Sequence, residues 1–130
     1  MSPRASATAH ELSRVALLAE LPGERLAKLA ASMVREDVQP GATVIQEGDE
    51  PDRLYVLLSG LMTVAQSSLG PRGVLRPGDA FGEVALAMRI PRTASVRALT
   101  PATVASCDRA TFDEYLRPLF ADDDADEERV

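Results

Sequence analysis

From Val34 to Asp108 the chain consists of short segments rich in Val, Leu, Ile and Thr, and turn residues such as Gly, Pro, Asp and Ser separate them. Four such segments follow one another closely, at residues 40–52, 53–66, 70–82 and 94–108. Strands this short and this regularly spaced bury their apolar faces by packing on one another, which indicates an all-β sandwich or barrel. We therefore predict a mainly β roll for this part of the chain.

The Ser59-Gly60 pair lies between two β-rich halves of the stretch RLYVLLSGLMTVAQ. Glycine readily adopts the positive φ that a tight turn between paired strands requires. We therefore predict a β-hairpin whose turn contains Gly60.

Helical periodicity flanks the β-rich part on both sides. Residues 7–21 carry apolar side chains at helical spacing, Thr8 and Glu11 form a capping-box pattern, and residues 23–33 resume the spacing. Residues 109–116 are helical again, with Phe112, Tyr115 and Leu116 on one face. The predicted organisation is one domain with an acidic tail: an N-terminal helical segment at 1–33, a β-roll with its C-terminal helix at 34–117, and a disordered end at 118–130.

The length of 130 residues suits one ordinary domain, and 45% apolar and 26% charged residues are typical of globular proteins. No apolar run approaches the roughly 20 residues that cross a bilayer. Charged residues interrupt the first part of the chain, so no signal peptide is predicted. We expect a cytoplasmic protein without a membrane contact.

The formal net charge of −6 is concentrated at the end of the chain, where six acidic residues and one arginine fall within residues 121–130. The rest of the chain is close to neutral and lacks the clustered basic face that neutralises nucleic-acid phosphates. Direct nucleic-acid binding is therefore not expected. Runs of like charge repel one another and stay solvated, so the tail is given little functional weight.

Cys107 is the chain's one cysteine and His10 its one histidine. One thiol cannot form an intramolecular disulfide, and one histidine is too few for a zinc site or for the metal centre of a cupin-like enzyme of similar shape. No histidine lies near Cys107 in sequence to activate it, so the thiol is interpreted as inert packing and His10 as a surface helix residue. We expect no cofactor, no metal and no enzymatic activity.

Two sets of apolar residues are interpreted as core. A stripe of leucines would seal one end of the roll, or would form a dimer surface if part of it were exposed: Leu17, Leu18, Leu21, Leu26 and Leu29. Three methionines are interpreted as gap-filling core residues: Met33, Met62 and Met88.

The stretch FGEVALAMRIPRTASV, residues 81–96, carries the main functional signal. Gly82 closes a loop, and residues 83–88 are long enough for a short helix whose unpaired N-terminal amides and positive dipole end would favour an anion. Pro91 restricts Ile90 to an extended conformation, which turns the chain and can bring Arg92 back toward Gly82. An arginine fork binds phosphate oxygens with paired, charge-assisted hydrogen bonds.

Glu83 is an acceptor when ionised and would repel a phosphate, so it suits hydroxyl donors such as those of a ribose. A plainer interpretation makes Glu83 and Arg92 a salt bridge across a loop, with Thr93 and Ser95 as ordinary strand residues. The residues alone leave both interpretations open.

The same stretch resembles the phosphate-binding cassette of the cyclic nucleotide-binding domain family, which is shared by bacterial catabolite activator proteins, cyclic-nucleotide-dependent kinases and cyclic-nucleotide-gated channels. The matching positions are Phe81, Gly82, Glu83, Ala85, Leu86, Pro91, Arg92, Ala94 and Ser95. The family's spaced glycines are met upstream by Gly41, Gly48, Gly60 and Gly78. The resemblance runs from about Leu17 to Leu116 and implies a jelly-roll-like double-stranded β-helix with flanking N-terminal helices, a short cassette helix and a short C-terminal helix.

Carried over by position, the resemblance implies a cyclic nucleotide ligand, cAMP in the first place and cGMP as the alternative. The implied phosphate-binding residues are Gly82, the amides of Glu83, Val84 and Ala85, then Arg92 and Thr93. Glu83 would accept the ribose 2′-hydroxyl, and Thr93 matches a position whose hydroxyl helps to bind guanine or supplements the phosphate contact. The expected apolar lining is Val64, Leu75, Phe81 and Ala94.

Two features depart from the family's pattern. The long C-terminal helix that covers the base in many relatives is not evident after Leu116, where Pro118 and the acidic run oppose helix growth. No basic helix-turn-helix module is evident there either. We expect a sensor that acts through a conformational change on a protein partner, or in a homodimer through the flanking helices. The alternative is a structural or interaction module with the same fold and weak or no nucleotide binding.

Overall fold

The computed structural model describes residue 7, residues 9–15 and residues 18–117. The expected acidic tail at 118–130, Thr8 of the predicted capping box and Leu17 of the leucine stripe lie outside these residues. Within the described part, the helices are α1 Ala9–Leu12, α2 Gly23–Ser32, α3 Glu83–Met88 and α4 Arg109–Tyr115. The strands are β1 Val34–Val38, β2 Thr43–Ile45, β3 Arg53–Ser59, β4 Met62–Gln66, β5 Gly70–Leu75, β6 Ala80–Phe81, β7 Ser95–Ala98 and β8 Ala102–Asp108.

The strands form two four-stranded antiparallel sheets, ordered β1-β8-β3-β6 and β2-β7-β4-β5. Apolar residues that alternate along the strands meet between the sheets, where buried Leu57, Met62 and Val104 belong to one core cluster. Burial of alternate side chains from both sheets is what stabilises such a roll. The predicted mainly β, jelly-roll-like fold with flanking helices is confirmed.

The predicted hairpin at Gly60 is wrong, although the turn is present. Gly60 has a φ of 87° and links β3 to β4, but these strands lie in different sheets. The backbone of Gly60 abuts Pro101 and Ala102, which leaves no room for a side chain. The β-rich run therefore crosses from one sheet to the other at Gly60, and β4 pairs instead with β5, where Met62 faces Leu75.

The N-terminal part is less regular than the predicted single helix over residues 7–21. Helix α1 ends at Leu12, and Ser13 and Arg14 form a turn in which the Ser13 hydroxyl donates to the His10 carbonyl at 2.7 Å. Tighter i to i+3 backbone bonds continue from Leu12 through Val15 and Leu18. Serine favours such local hydrogen bonds over helix continuation, which accounts for the break at Ser13.

Helix α4 packs on the outer face of the β1-β8-β3-β6 sheet, and α2 packs against α1 and α4. Together with the sheet they form a second core. Buried Leu18, Leu26, Leu29 and Met33 pack there with Phe112, and Leu21 is partly buried against the same cluster. The leucines that the structure describes are therefore core residues, as predicted, but they cover the outer face of this sheet and not an end of the roll.

Helix α4 has a side-chain cap at its N-terminus. The Asp108 carboxylate accepts a hydrogen bond from the Thr111 amide at 2.9 Å and so caps α4.

Met33 and Met62 are buried as predicted, whereas the prediction for Met88 is wrong because that side chain is 65% exposed. Met88 is the last residue of the short helix α3.

Replacement of Gly60 by alanine tests the crossing between the sheets, and Gly41 provides the matched control. Both glycines have similar positive φ values, 87° and 86°, but a Cβ at Gly41 would meet open space. We expect Gly41→Ala to lower the free energy of unfolding by about 1 kcal/mol through backbone strain alone. Gly60→Ala adds a steric clash with backbone and should cost about 3 kcal/mol or more. Chemical denaturation of both variants measures the difference, and equal losses would contradict the close approach at Gly60.

Candidate functional site

Helix α3 begins immediately after Gly82, which has a φ of 85°. The observed bounds, Glu83–Met88, are those predicted from the sequence. The first backbone bond of the helix runs from the Leu86 amide to the Gly82 carbonyl at 3.3 Å. The amides of Glu83, Val84 and Ala85 therefore precede the intrahelical bonding pattern and form the positive end of the helix.

The chain leaves α3 through a sharp reversal. Arg89 adopts a left-handed conformation with a φ of 59°, and its amide donates to the Ala85 carbonyl. The Ile90 amide donates to the same carbonyl at 3.1 Å. This helix end and the segment around Pro91 redirect the chain, so the Arg92 side chain returns to the start of the helix, as the sequence predicts.

Arg92 lies with its side chain 4% exposed, and backbone carbonyls from two separate segments hold it. Its Nη1 donates to the Gly82 carbonyl at 2.9 Å, and its Nη2 donates to the Arg53 carbonyl at 2.8 Å. The Asp52 carboxylate lies 3.8 Å from Nη2 but is itself 79% exposed. Because solvent screens an exposed carboxylate, Asp52 offsets only part of the buried charge.

The electrostatics of Arg92 match this geometry. Burial lowers the pKa of the Arg92 guanidinium, while Tyr55, Asp52 and Asp49 act in the opposite direction. Arginine remains protonated under all physiological conditions, so the lowered pKa indicates a positive charge that the protein compensates incompletely. An anion beside it would supply the missing compensation.

Gly82 is required for this arrangement by space as well as by φ. A Cβ added to Gly82 would lie 2.8 Å from the Arg92 Nη1 and 3.1 Å from the Ile45 Cδ1. The close approach of the guanidinium to the helix start therefore depends on the absence of a side chain at this position.

A cavity of about 170 Å³ opens beside Gly82 and Arg92. The predicted site residues that line it are Val64, Phe81, Gly82, Ala85, Arg92, Thr93 and Ala94, and the residues that sequence reasoning missed are Ile45, Ala80 and Val96. Leu75 is not part of this lining and packs against the core between the sheets. The side chains of Glu83 and Val84 lie outside the described part of the structure, so the predicted alternatives for Glu83, a ribose contact or a salt bridge to Arg92, stay predictions.

The cavity combines an apolar wall with one charged end. The Phe81 ring stacks on Tyr55 with centroids 5.4 Å apart, which fixes the aromatic residue that precedes Gly82. Other lining residues, such as Val64 and Ala94, are also apolar. A ligand with a negative group at one end and a weakly polar body suits this distribution.

A larger groove of about 310 Å³ lies elsewhere, between the N-terminal residues and the roll. Its ionisable residues are His10, Glu11, Arg14 and Arg35, and Glu11 pairs with Arg35 at 3.2 Å. His10 is exposed on α1, as predicted. Arg14 is exposed and Arg35 is partly exposed, whereas Arg92 is buried, so the smaller cavity is the stronger candidate for an anion site.

The loop at residues 46–49 contacts the backbone of Arg92 and was not identified from the sequence. The Gly48 amide donates to the Arg92 carbonyl at 2.9 Å, and the Arg92 amide donates to the Asp49 carbonyl at 2.9 Å. The Ser95 hydroxyl accepts the Glu47 amide at 2.9 Å. The hydroxyl at Ser95 thus has a structural partner, and the turn residues of QEGD were the sequence signal for this loop.

Catalytic or metal-binding groups are not evident in the described ranges. No group of three or more His, Cys, Asp or Glu side chains is placed there to hold a metal ion. Cys107 is buried, and burial raises the pKa of its thiol from the ordinary 9.0 to about 12. No helix in the described ranges has the length and apolar character needed to cross a bilayer.

Comparison with known proteins gives consistent results. The family model described as "Cyclic nucleotide-binding domain" matches residues 35–118. A cAMP-dependent protein kinase regulatory subunit of Yarrowia lipolytica is 38% identical over 112 residues, or 84% of this chain and 29% of the relative. A cGMP-dependent protein kinase of Caenorhabditis briggsae is 36% identical over 95 residues, or 73% of this chain and 13% of the relative.

A solved structure supports the same grouping. The regulatory domain of Toxoplasma gondii PKA, co-crystallised with cAMP, matches with a TM-score of 0.81 and 25% sequence identity. The match covers 91% of this chain and 48% of that one. The chain spans less than a third of the length of the two curated relatives.

The Cys107 thiol should not react in the folded protein. Because burial raises its folded pKa to about 12, the neutral thiol persists far above the ordinary value of 9.0. We expect negligible labelling by a disulfide reagent near neutral pH and complete labelling in denaturant. Rapid labelling of the folded chain would contradict this expectation.

The same pKa shift makes the stability of the protein depend on pH in the alkaline range. The stabilising effect of the buried neutral thiol is fully present below pH 9.0 and is lost as the pH rises toward 12. Over that range a Cys107→Ala variant should therefore lose less stability than the wild-type protein.

Proposed function

Because the chain belongs to the cyclic nucleotide-binding domain family, we propose that it is a sensor whose ligand is cAMP, bound in the cavity at Gly82 and Arg92. The observation that carries this proposal is the buried Arg92 guanidinium beside the first amides of α3. Its two fixed carbonyl contacts, 2.9 and 2.8 Å long, preorganise it for a phosphate. Preorganised donors cost little further ordering when a ligand binds.

In the proposed complex the cyclic phosphate binds at the helix start. The amides of Glu83, Val84 and Ala85 donate to its oxygens, and Arg92 supplies the opposite charge. Thr93 at the cavity wall adds a hydroxyl, and Glu83 accepts the ribose 2′-hydroxyl. The apolar wall at Val64, Phe81 and Ala94 then faces the rest of the nucleotide.

The preference for cAMP over cGMP is supported by the relatives' names. The Yarrowia regulatory subunit is named for cAMP and the Toxoplasma domain contains it, whereas the Caenorhabditis kinase is named for cGMP. Thr93 does not distinguish cAMP from cGMP, because a hydroxyl at this position can contact either guanine or the phosphate. We place cAMP first and cGMP second.

The proposed regulatory action passes through the helices to a protein partner. Arg109 and Arg117 of the C-terminal region each donate to a carbonyl at the end of α3, Leu86 and Ala87, at 3.2 Å. Arg25 of α2 lies 4.7 Å from the centre of the Tyr115 ring on α4. A displacement of α3 on ligand binding would therefore be transmitted to the helical layer.

The names of the relatives support a proposal for the partner. Two of them are regulatory subunits or domains of a protein kinase, so a kinase catalytic subunit is the partner we propose, with a homodimer through the flanking helices as the alternative. We propose a cytoplasmic, non-catalytic binding domain that contacts neither nucleic acid nor membrane. The ligand, and not a resident cofactor, occupies the cavity.

Replacement of Arg92 tests the ligand site directly. Arg92→Ala removes a desolvated charged contact and should weaken cAMP binding by on the order of 2 to 4 kcal/mol. Arg97→Ala is the matched control, because Arg97 is an exposed arginine on β7. Isothermal titration of both variants with cAMP and then cGMP measures the effect, with circular dichroism as the check on folding.

Two outcomes would contradict the proposal. Equal losses in the Arg92 and Arg97 variants would exclude a specific phosphate contact. A folded wild-type protein that binds neither nucleotide would instead favour the structural or interaction module.

Deletion of residues 121–130 should change the affinity little, since distant like charges are screened by salt.

Replacement of Thr93 distinguishes the two roles of its hydroxyl. If the hydroxyl contacts guanine, Thr93→Ala should lower cGMP affinity about tenfold and leave cAMP affinity nearly unchanged. If it supplements the phosphate contact, both affinities should fall together. Competition binding with the two nucleotides separates these results, and unchanged affinity for both would exclude a ligand contact at Thr93.

A further inference from the structure

Glu47 lies outside the cavity, yet it connects the backbone of Arg92 to the turn between β4 and β5. We infer that Glu47 is a positioning residue: its carboxylate fixes the loop at 46–49, and that loop fixes Arg92. The inference rests on the proposed function where it concerns nucleotide affinity. Its structural part concerns the ligand-free protein and is testable separately.

Both oxygens of the Glu47 carboxylate are used by one residue of the β4–β5 turn. The Ser67 amide donates to Oε1 at 2.9 Å, and the Ser67 hydroxyl donates to Oε2 at 2.9 Å. Hydrogen bonds to an ionised acceptor are stronger than neutral ones. This bidentate contact joins two segments that are 20 residues apart in sequence.

The loop that Glu47 anchors has two direct bonds to the backbone of Arg92. The Gly48 amide donates to the Arg92 carbonyl, and the Arg92 amide donates to the Asp49 carbonyl, both at 2.9 Å. The Glu47 amide is itself held by the Ser95 hydroxyl at 2.9 Å. The loop therefore contacts the chain on both sides of residues 93 and 94.

Gln66, the last residue of β4, contacts this segment directly. The Gln66 Nε2 donates to the Thr93 carbonyl at 2.8 Å. The end of β4 and the turn after it are thus linked to the segment twice, through Glu47 and its loop to Arg92 and through Gln66 to Thr93. Together these contacts define the backbone position of Arg92.

Arg92 needs this support because it belongs to no regular element. Helix α3 ends at Met88 and β7 begins at Ser95, so Arg92 itself lies in neither element. The guanidinium fork is directional, and its bonds to the Gly82 and Arg53 carbonyls require a defined backbone position. Loss of the Glu47 contact should loosen the loop and allow the fork to move.

The first experiment uses the ligand-free protein. Amide hydrogen exchange of Glu47→Ala should be faster at Gly48 and Arg92, whose amides lie in the loop contact, than in the wild-type protein. Amides of the β3–β8 ladder should exchange at unchanged rates. Ser67→Ala, which keeps one of the two carboxylate contacts, should give a smaller change at the same two amides. Unchanged exchange at Gly48 and Arg92 in Glu47→Ala would overturn the inference, whether or not the protein binds a nucleotide.

The second experiment measures coupling to the Arg92 side chain by titration with cAMP. We expect Glu47→Ala to weaken binding about tenfold in the arginine background, as loss of charge-assisted support does. In an Arg92→Lys background the same change should cost less than about threefold, because a flexible ammonium depends less on the backbone position than a directional fork does. Equal losses in both backgrounds would show that Glu47 acts independently of Arg92.

Asp37 provides the matched control for a carboxylate contact at the surface. Its Oδ1 accepts the Thr103 hydroxyl at 3.0 Å on the other sheet. Asp37→Ala should leave the affinity and the exchange at Arg92 unchanged, whereas an effect as large as that of Glu47→Ala would overturn the positioning role. A wild-type protein that binds no nucleotide would refute the proposed function, and the exchange experiment would still decide the role of Glu47.

Discussion

A guanidinium enclosed at 4% side-chain exposure must have its donors paired, and Arg92 meets this requirement with carbonyls from two segments distant in sequence. One carbonyl belongs to Gly82 at the start of α3, and the other belongs to Arg53 at the start of β3. The same contact requires glycine at residue 82, because a Cβ there would lie 2.8 Å from Nη1. The Arg92 side chain therefore holds together the start of α3, the start of β3 and the chain reversal after α3.

The parts of the fold that depend on local chemistry were predictable from the sequence. The bounds of α3 were predicted because Gly82 and Pro91 mark the chain on either side of a short apolar run. Helix α4 was predicted from the spacing of Phe112 and Leu116, which are both buried. The resemblance supplied the positions of Gly82, Ala85 and Arg92, and these residues line one cavity.

The parts that depend on distant pairing were not predictable. Gly60 has the positive φ expected of a turn, but its local sequence does not say whether the next strand joins the same sheet or the opposite one. The packing of Pro101 and Ala102 against Gly60 decides this. The contact of Glu47 with Ser67 likewise joins two polar loops, and the sequence of neither loop predicts a contact with the other.

Helix α3 is held at both ends by arginines. Arg92 binds the carbonyl before its first turn, while Arg109 and Arg117 bind the carbonyls of Leu86 and Ala87 in its last turn. A helix of 6 residues has too few internal bonds to be stable alone. Its position is therefore set by these external contacts. In the proposed complex, an anion that shares Arg92 with the Gly82 carbonyl would change the contacts at one end of α3, and the arginines at the other end would connect that change to α4.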